Sequence, residues 1–572
     1  MKKYLLFGIV ILLFFLFLEA ASCIAGEQKD RLVIYEKDIK KANVLKIYDL
    51  LNHIPGVKAG ETSVSIRGSS KVKVLLDGRS INDPTAARGA VKWNIVSLSN
   101  VEKVEIYKGE GGVEFGDDSS GGVIVITTKE IEAFSGNVES YWGNYKSEYY
   151  SSNCRGRKGP LGMGVSSSYE ATDGFRKNGH KEKYRIGTRL QYFLNKDYDF
   201  TLSGDYLNYK KGVPGLVAFP TPNAGKDREM YSYLFLANLN AVKSKTWLND
   251  AETKNINPDK NLDKYIRVKK MGEELNTRLF PGKAGGVNIG TGYELAMVKG
   301  SSIDSHKENK CWVFGSKSLT MKKIPVTFTF GLRSIFYSEY DDVINPEFTA
   351  GFKQKRYSIK FLANITNNLP TFYQRYNETS STMPNPDLVM EKAQNYSLSL
   401  SAQLFSDFSF NLTPFYNKIR DRITYVRGDD GMGRYENFGE VTYKGVETSS
   451  IYKPFKPLLL KSSYTYLIAK DAETDKYISC KPKHKIKTDV FYSPVKRLSM
   501  ICSMKYTSKT FTRSNNLEYA PGFFLLDFRS EYKVNGINPF FEIKNMFNKD
   551  YMYVDGYPGS SRTWIAGFNF EF

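Results

Sequence analysis

Alternating apolar and polar residues dominate the chain after about residue 135. In 326–333, Val, Phe, Phe and Leu fall on one face, and Thr, Thr, Gly and Arg fall on the other. In 396–404, one Tyr, three Leu and one Ala alternate with three Ser and one Gln. A period of two places successive side chains on opposite faces of a β-strand, so the pattern predicts about 20 to 24 strands, each with one apolar and one polar face.

The same alternation would occur in a soluble β-sandwich, so periodicity alone does not place the apolar face against lipid. The length of the alternating region, an export signal and aromatic residues near the strand ends favour a membrane barrel. We therefore expect a mainly β fold with an antiparallel transmembrane β-barrel of about 22 strands, because closure removes the exposed sheet edges.

The N-terminus carries that export signal. Lys2 and Lys3 precede an unbroken apolar run over 4–18, and small residues follow over 20–25. This arrangement predicts a signal peptide over 1–25, removed after Sec-type export. An uncleaved anchor is the less favoured alternative because the run is short. Lipidation of Cys23 stays open, although Ala20 stands where such sites usually carry Leu.

Residues 26–132 have a different pattern, that of a compact α+β unit. Strands are predicted at 31–34, 63–67, 72–76 and 101–107, and helical spacing covers 42–52 until Pro55 and Gly56 end it. The pattern changes between 129 and 134, so the barrel is expected over 133–572. An exposed loop is expected over 249–263, where a solvated loop is favoured over a Ca²⁺ site.

Charge and composition limit the possible chemistry. The net charge is +20 and the pI is about 9.3, which in a soluble domain would suggest nucleic acid. In an exported barrel, the same balance suits anionic lipid or a lumen that attracts anions, so we expect no nucleic-acid partner. The 5 cysteines and 4 histidines are scattered, which predicts no metal site and no cofactor. No catalytic triad, carboxylate pair or zinc pattern supports a secreted enzyme.

Several segments of the first unit resemble the plug domain of TonB-dependent outer-membrane receptors. They are DLLNHIPGV at 49–57, SIRG at 65–68 and VLLDG at 74–78, followed by VEKVEIYKG at 101–109 and GGVIVITTK at 121–129. Further on, NLPTFY at 368–373, NPDL at 385–388 and NMFNK at 545–549 resemble barrel segments of that family. The last strand, with Trp564, Phe568 and a terminal Phe572, resembles the end of outer-membrane barrels.

The resemblance implies an α+β plug inside the barrel lumen and a location in the cell outer membrane. It implies active uptake of a scarce small-molecule nutrient, a ferric siderophore or cobalamin. The expected partners are a TonB-type inner-membrane energy-coupling complex and outer-membrane lipid, and the expected state is a monomer. Haem is disfavoured because 368–373 carries no Arg or His.

Two sets of plug residues are candidates for function. The loop after the 74–78 segment is the expected nutrient contact, through Arg79, Asn82, Asp83, Arg88 and Trp93. The second set resembles the charges that lock the plug of this family against the barrel wall: Arg67, Glu102, Glu105 and Lys108. The alternative for the second set is solvated charges at strand ends.

One feature departs from the family pattern. Its members normally begin with an extended energy-coupling box some twenty residues ahead of the first plug strand, whereas cleavage after Ala25 would leave only 26–30 before the strand at 31–34. This shortage motivates an alternative function, in which a decoupled plugged barrel acts as a passive channel or as an adhesion or signalling surface.

Overall fold

The computed structural model describes residues 31–42, 44–86, 89–280, 286–321, 324–428 and 431–572. The predicted signal peptide, Cys23 and the short 26–30 segment lie outside the described residues. Within the described part of the chain, no helix has both the length and the apolar character needed to cross a membrane.

The described residues of the N-terminal unit form seven short strands and three short helices. Its strands are β1 (Leu32–Tyr35), β2 (Val57–Ala59), β3 (Val64–Ile66), β4 (Val72–Leu76), β5 (Arg79–Ser80), β6 (Val101–Lys108) and β7 (Gly122–Thr128). Its α-helices are α1 (Glu36–Ala42), α2 (Ile47–Leu51) and α3 (Gly112–Phe115), and 3-10 turns cover Trp93–Ile95 and Leu98–Asn100. One five-stranded sheet has the order β1-β6-β7-β4-β5, with β4 and β7 parallel, and β2 pairs with β3.

The predicted helix over 42–52 is wrong as a single element, because the chain forms α1 and α2 with a break between them. Lys46 has an extended backbone, with φ −125° and ψ 146°. This backbone interrupts the helix at Lys46, and the Lys46 ammonium lies 2.7 Å from Glu170 on the barrel wall. A contact between distant parts of the chain thus accompanies the end of the local helical pattern.

Twenty-two long strands form the second unit. They are β8 (Ser135–Gly143), β9 (Ser147–Lys158), β10 (Leu161–Thr172), β11 (Lys181–Phe193), β12 (Tyr198–Gly212), β13 (Gly225–Leu239), β14 (Val242–Asn257), β15 (Leu262–Leu279), β16 (Val287–Gly300), β17 (Ile303–Thr320), β18 (Val326–Tyr337), β19 (Val343–Lys353), β20 (Tyr357–Asn368), β21 (Glu391–Phe405), β22 (Phe408–Arg420), β25 (Glu440–Phe455), β26 (Leu458–Asp471), β27 (His484–Val495), β28 (Leu498–Thr507), β31 (Phe523–Tyr532), β32 (Ile537–Lys544) and β35 (Thr563–Glu571).

These strands form one closed antiparallel barrel, in which β35 pairs with β8. The predicted barrel of about 22 strands is confirmed. Tight turns such as 159–160 and 240–241 join the strands at one end, the turn end, where Phe572 meets Gly136. The other end, the loop end, carries the long connections.

The loop-end connections contain small elements of their own. They are α4 (Phe372–Tyr376), the 3-10 turn Pro258–Lys260, and the hairpin strands β23 (Ile423–Arg427), β24 (Gly433–Asn437), β29 (Thr510–Phe511), β30 (Tyr519–Ala520), β33 (Met552–Val554) and β34 (Tyr557–Pro558). The exposed loop predicted over 249–263 is wrong: β14 and β15 occupy most of that segment, and only 258–261 forms the connection. The polar residues of this segment lie at the loop ends of β14 and β15.

The alternation along each strand separates an outer face from a face that packs on the plug. On β13, Tyr231 and Tyr233 are exposed, while Ser232 and Leu234 between and after them are buried. Apolar side chains of the plug join buried residues of the wall, such as Leu207 and Met230, in one core. The plug therefore fills the lumen by packing directly on the barrel.

Candidate functional site at the plug apex and the plug–barrel interface

Two of the predicted locking residues meet one carboxylate of the barrel. Lys108, at the end of β6, places Nζ 3.0 Å from Oε2 of Glu447 on β25. Arg67 places Nε 3.4 Å from the same oxygen, and its guanidinium lies 4.9 Å from the Phe415 ring centroid. Burial lowers the pKa of Lys108, and the Glu447 carboxylate offsets that effect only in part. Glu447 thus holds two plug cations at a buried interface.

The two predicted glutamates lie elsewhere. Glu105 forms ion pairs with Arg31 and with Lys103, so it joins strands within the plug. Glu102 is half-buried on β6. The structure therefore brings Arg67 and Lys108 together at the wall and keeps Glu105 inside the plug sheet.

A second ionic contact involves residues that sequence reasoning missed. Asp117, which follows α3, lies 3.1 Å from Lys73 on β4 and 2.7 Å from Lys310 on β17. Tyr337 donates its hydroxyl to the same carboxylate at 3.2 Å. Burial alone would raise the pKa of Asp117, but the ammonium groups of Lys310 and Lys73 outweigh burial and hold the pKa well below its usual range. Asp117 is therefore a buried anion shared by plug and wall.

The predicted nutrient-contact residues are distributed between the plug core and the plug apex, which is the connection 81–92 at the loop end. Trp93 is 2% exposed and packs in the plug core. Arg79 is equally buried and forms an ion pair with Asp205 of β12. Asn82 bridges backbone groups, accepting from the Val74 N–H at 2.8 Å. Arg88 lies outside the described residues.

Asp83 is the predicted residue that joins the apex to the wall. Its carboxylate lies 2.6 Å from Arg228 on β13 and accepts the Thr85 hydroxyl at 2.6 Å. Burial would raise the pKa of Asp83, but Lys92 and Arg228 outweigh it and lower the pKa. In turn, burial lowers the pKa of Lys92 to about 8, although the Asp83 carboxylate opposes this shift. Nutrient contact by these residues stays a prediction.

Three cations act on the Asp83 carboxylate and a fourth lies beside one of them, and we call these four the apex cation cluster: Lys92, Lys226, Arg228 and Lys211. Lys211 and Lys226 are directly paired across β12 and β13. Strand alternation turns both toward the lumen, since Tyr209 and Met230 on the same faces belong to the plug core. Within the described part of the chain, neither Lys211 nor Lys226 forms an ion pair. The cations outnumber the carboxylates Asp83 and Glu61 beside them, so this part of the lumen is positive.

The connection 369–390 folds down onto the apex. The Phe372 N–H donates to the Pro84 carbonyl at 3.0 Å. Arg375 fixes α4 by pairing with Glu308 of β17 at 2.7 Å and by lying 4.8 Å from the Tyr340 ring centroid. A cavity of only about 80 Å³ remains between Pro84 and this connection. Residues 368–373, noted in the sequence as a family segment, thus form the contact between a loop and the apex.

The wall residues that pair with the plug were only partly predictable from the sequence. Glu447, Asp205 and Arg228 occupy lumen-facing positions of their strands, which the alternation could have marked. No feature of the sequence joins any of them to a particular plug residue. Among the described residues, no group of three or more His, Cys, Asp and Glu side chains could hold a metal ion.

Comparison with family models gives two matches along the chain. Residues 28–123 match the TonB-dependent receptor plug domain. Residues 131–546 match the TonB-dependent receptor-like β-barrel. Together the two matches cover most of the sequence.

Curated relatives match nearly the whole chain, and solved structures share its fold. A vitamin B12 transporter, BtuB, of Photobacterium profundum is 20% identical, over 94% of this chain and 92% of the relative. An iron-regulated outer membrane virulence protein of Vibrio cholerae is 22% identical, over 94% and 92%. The crystal structure of the siderophore receptor PirA from Acinetobacter baumannii superimposes with a TM-score of 0.80 at 16% identity, covering 95% of this chain and 98% of that chain.

Proposed function

Because the chain belongs to the TonB-dependent receptor family, we propose that it captures a scarce nutrient at the plug apex and imports it by energy-driven rearrangement of the plug. A 22-stranded barrel of this family is an outer-membrane protein, and the family consists of receptors and transporters rather than enzymes. Sec-type export with cleavage of 1–25, a plug over 26–132, a barrel over 133–572 and a monomeric state belong to the proposal. So does a TonB-type inner-membrane complex as the energy source.

The proposed nutrient is an anionic ferric chelate, and the apex cation cluster is the observation that carries this choice. Three of its cations, Lys92, Lys226 and Arg228, act on the Asp83 carboxylate, which pairs with Arg228 at 2.6 Å. The fourth, Lys211, lies beside Lys226 and also acts on Glu61. Partly buried charges interact through a medium less polarisable than water, so an anion at the apex would be attracted strongly. A positive lumen also raises the local concentration of anionic solutes and their rate of capture.

Cobalamin is the second candidate. The likeness to a vitamin B12 transporter over 94% of the chain supports it, while the likeness to an iron-regulated protein over the same share supports a ferric chelate. Identities near one fifth leave the ligand to be decided by the site. The positive apex favours the more anionic of the two ligands.

Nutrient entry requires the connection 369–390 to move. The cavity of about 80 Å³ beneath it is far smaller than the roughly 300–1,000 Å³ of ordinary small-molecule sites. The Phe372–Pro84 hydrogen bond and the Arg375–Glu308 ion pair are the contacts that such a movement would break. Binding would thereby release a loop from the plug apex, which gives the ligand a direct mechanical connection to the plug.

The test is binding and uptake with neutralised apex cations. Lys211→Gln and Lys226→Gln should each weaken binding of a trianionic ferric siderophore about fivefold, or ~1 kcal/mol, at low salt. Lys210→Gln is the matched control, because Lys210 is exposed on the opposite face of the same strand. Binding is measured by titration calorimetry on the purified protein, with cyanocobalamin in parallel. Equal weakening in all three variants would overturn the anion site.

Growth on the same nutrient decides between import and the decoupled alternative. Cells that depend on this chain should grow on the ferric chelate only when the inner membrane is energised. Binding without growth would favour a decoupled receptor. Failure to bind either nutrient would favour the passive channel or the adhesion or signalling surface.

A further inference from the structure

A cavity of about 70 Å³ lies between the plug and the wall, away from the apex and toward the turn end. The plug contributes the β4–β5 hairpin with Asp77 and Arg79, and the wall contributes Arg185, Arg189 and Asp205 from β11 and β12. One water needs about 10–15 Å³ of such space. The cavity can therefore hold a ligand several times the size of a water molecule.

Each oxygen of the two cavity carboxylates already has a hydrogen-bond or ion-pair partner. Asp205 pairs through one oxygen with Arg79 and through the other with Arg185 at 2.8 Å. Asp77 accepts the Thr128 N–H and the Thr128 hydroxyl, each at 2.8 Å, and lies 3.5 Å from Arg189. Neither carboxylate has an oxygen left without a partner.

The donors around the same cavity are not fully used. Five buried polar atoms of its lining have no hydrogen-bond partner among the described residues: Arg79 Nε, Arg79 Nη1, Arg185 Nε, Arg189 Nε and Ser203 Oγ. Arg79 is only 2% exposed. A buried N–H left unpaired costs roughly 1–3 kcal/mol, so several such donors on residues that line one cavity favour an acceptor beside them.

Charge and hydrogen-bond type together define that acceptor. Four arginines and Lys129 line the cavity against two carboxylates, which leaves a net positive charge. The four unpaired guanidinium atoms can only donate. Water is neutral and would leave this positive charge without a counter-ion. A tetrahedral oxyanion accepts at every oxygen and matches guanidinium geometry.

We propose that this cavity is a binding site for a small inorganic oxyanion of the phosphate or sulfate class. The anion joins Arg79 of the plug to Arg185 and Arg189 of the wall, so it strengthens plug docking. The site is distinct from the apex, and the proposal holds whether or not the nutrient is a ferric chelate.

The first test is phosphate-dependent stability of the full-length protein in detergent, without nutrient. The thermal unfolding temperature should rise saturably with inorganic phosphate at constant ionic strength, because a ligand that binds only the folded state stabilises it. Arg189→Gln should weaken the apparent phosphate affinity about tenfold, and Ser203→Ala should weaken it about threefold. Ser203→Ala leaves every ion pair of the cavity intact, so it remains informative if the arginine variant folds poorly.

Arg529→Gln is the control variant, since Arg529 is a buried wall arginine that pairs with Glu542 at 3.1 Å and does not line the cavity. Its phosphate response should equal that of the wild type. A crystal grown with arsenate, located by anomalous scattering, should show the anion between Arg79 and Arg189. Ordered water alone in that crystal, or an unsaturable response shared by all variants, would overturn the proposal.

Discussion

At the scale of single residues, Glu447 has the largest predicted effect on plug docking. Glu447→Gln leaves Arg67 and Lys108 buried without their shared carboxylate, which should cost about 3 kcal/mol of docking free energy. Hydrogen exchange of the plug amides over 32–128 measures this loss. The plug should exchange faster while the barrel strands keep their protection.

Glu436→Gln supplies the control for that experiment. Its partner Arg434 is half exposed, and the pair lies in the β23–β24 hairpin at 2.6 Å. An exposed pair contributes within about 0.5 kcal/mol, so plug exchange should not change. Similar exchange in Glu436→Gln and Glu447→Gln would contradict the locking role of Glu447.

Acid should weaken plug docking through Asp117. Its pKa is lower in the folded protein than the ordinary value near 4, because Lys310 and Lys73 outweigh its burial. The stabilisation is therefore complete above about pH 4 and is lost as the pH falls through the folded pKa. Plug hydrogen exchange, corrected for intrinsic rates, should increase in acid.

Two variants test the acid response. Asp117→Asn should weaken docking at pH 7 and flatten the further loss in acid. Asp475→Asn removes a carboxylate whose side chain is 84% exposed and whose one ion-pair partner among the described residues is Lys470, so it should keep the wild-type profile. If plug hydrogen exchange in Asp117→Asn still increased in acid as in the wild type, a group other than Asp117 would be responsible.

Residue roles were only partly predictable from the sequence. Arg67 and Lys108 were named as locking charges, yet their partner Glu447 lies 339 residues beyond Lys108. Pairing at such separation depends on the stagger of the barrel strands. For Arg79 the expected surroundings differed from those in the structure. Its position in a loop suggested nutrient contact, while the folded chain buries it against Asp205.

At the scale of elements, the plug sheet depends on a glycine at the start of β7. Gly122 has φ +128°, and a Cβ there would lie 2.0 Å from the Tyr107 carbonyl of β6. Gly122→Ala should therefore separate the two central strands of the plug sheet, at a cost of ~2 kcal/mol or more. The expected readout is protease cleavage of the plug under conditions in which the wild type is intact.

Gly351→Ala is the matched barrel variant. A Cβ at Gly351 would meet only the Thr327 carbonyl, at 3.9 Å, which is an ordinary contact. Its plug should resist protease as well as the wild-type plug does. Cleavage in both variants would mean that the assay reports general damage to the protein.

Elements with a strong local pattern were predictable. The 72–76 strand was predicted at its observed bounds, because apolar residues and the following turn define it locally. The single helix predicted over 42–52 is wrong, since Lys46 has an extended backbone at a position where its ammonium pairs with Glu170 of the wall. The loop predicted over 249–263 is wrong because β14 and β15 continue through this polar segment.

At the scale of the whole molecule, the strand count followed from periodicity, but the fit of plug to barrel did not. Apolar and polar residues alternate along each strand, so about 22 strands could be counted without knowing which strands are neighbours. The cavity with Arg79 and the apex cation cluster form only when distant strands close around the plug. Their chemistry therefore had to be found in the folded chain.

The plug should determine whether the barrel conducts. A 22-stranded barrel is wide enough to need a plug, and here plug side chains join wall residues in one packed core. In planar lipid bilayers the full-length protein should show no steady conductance, whereas a variant lacking 31–130 should form large open channels. Heat-modifiable migration of both proteins on gels checks that each barrel is folded. Steady conductance of the intact chain would instead support the passive channel, because a docked plug leaves ions no continuous aqueous path.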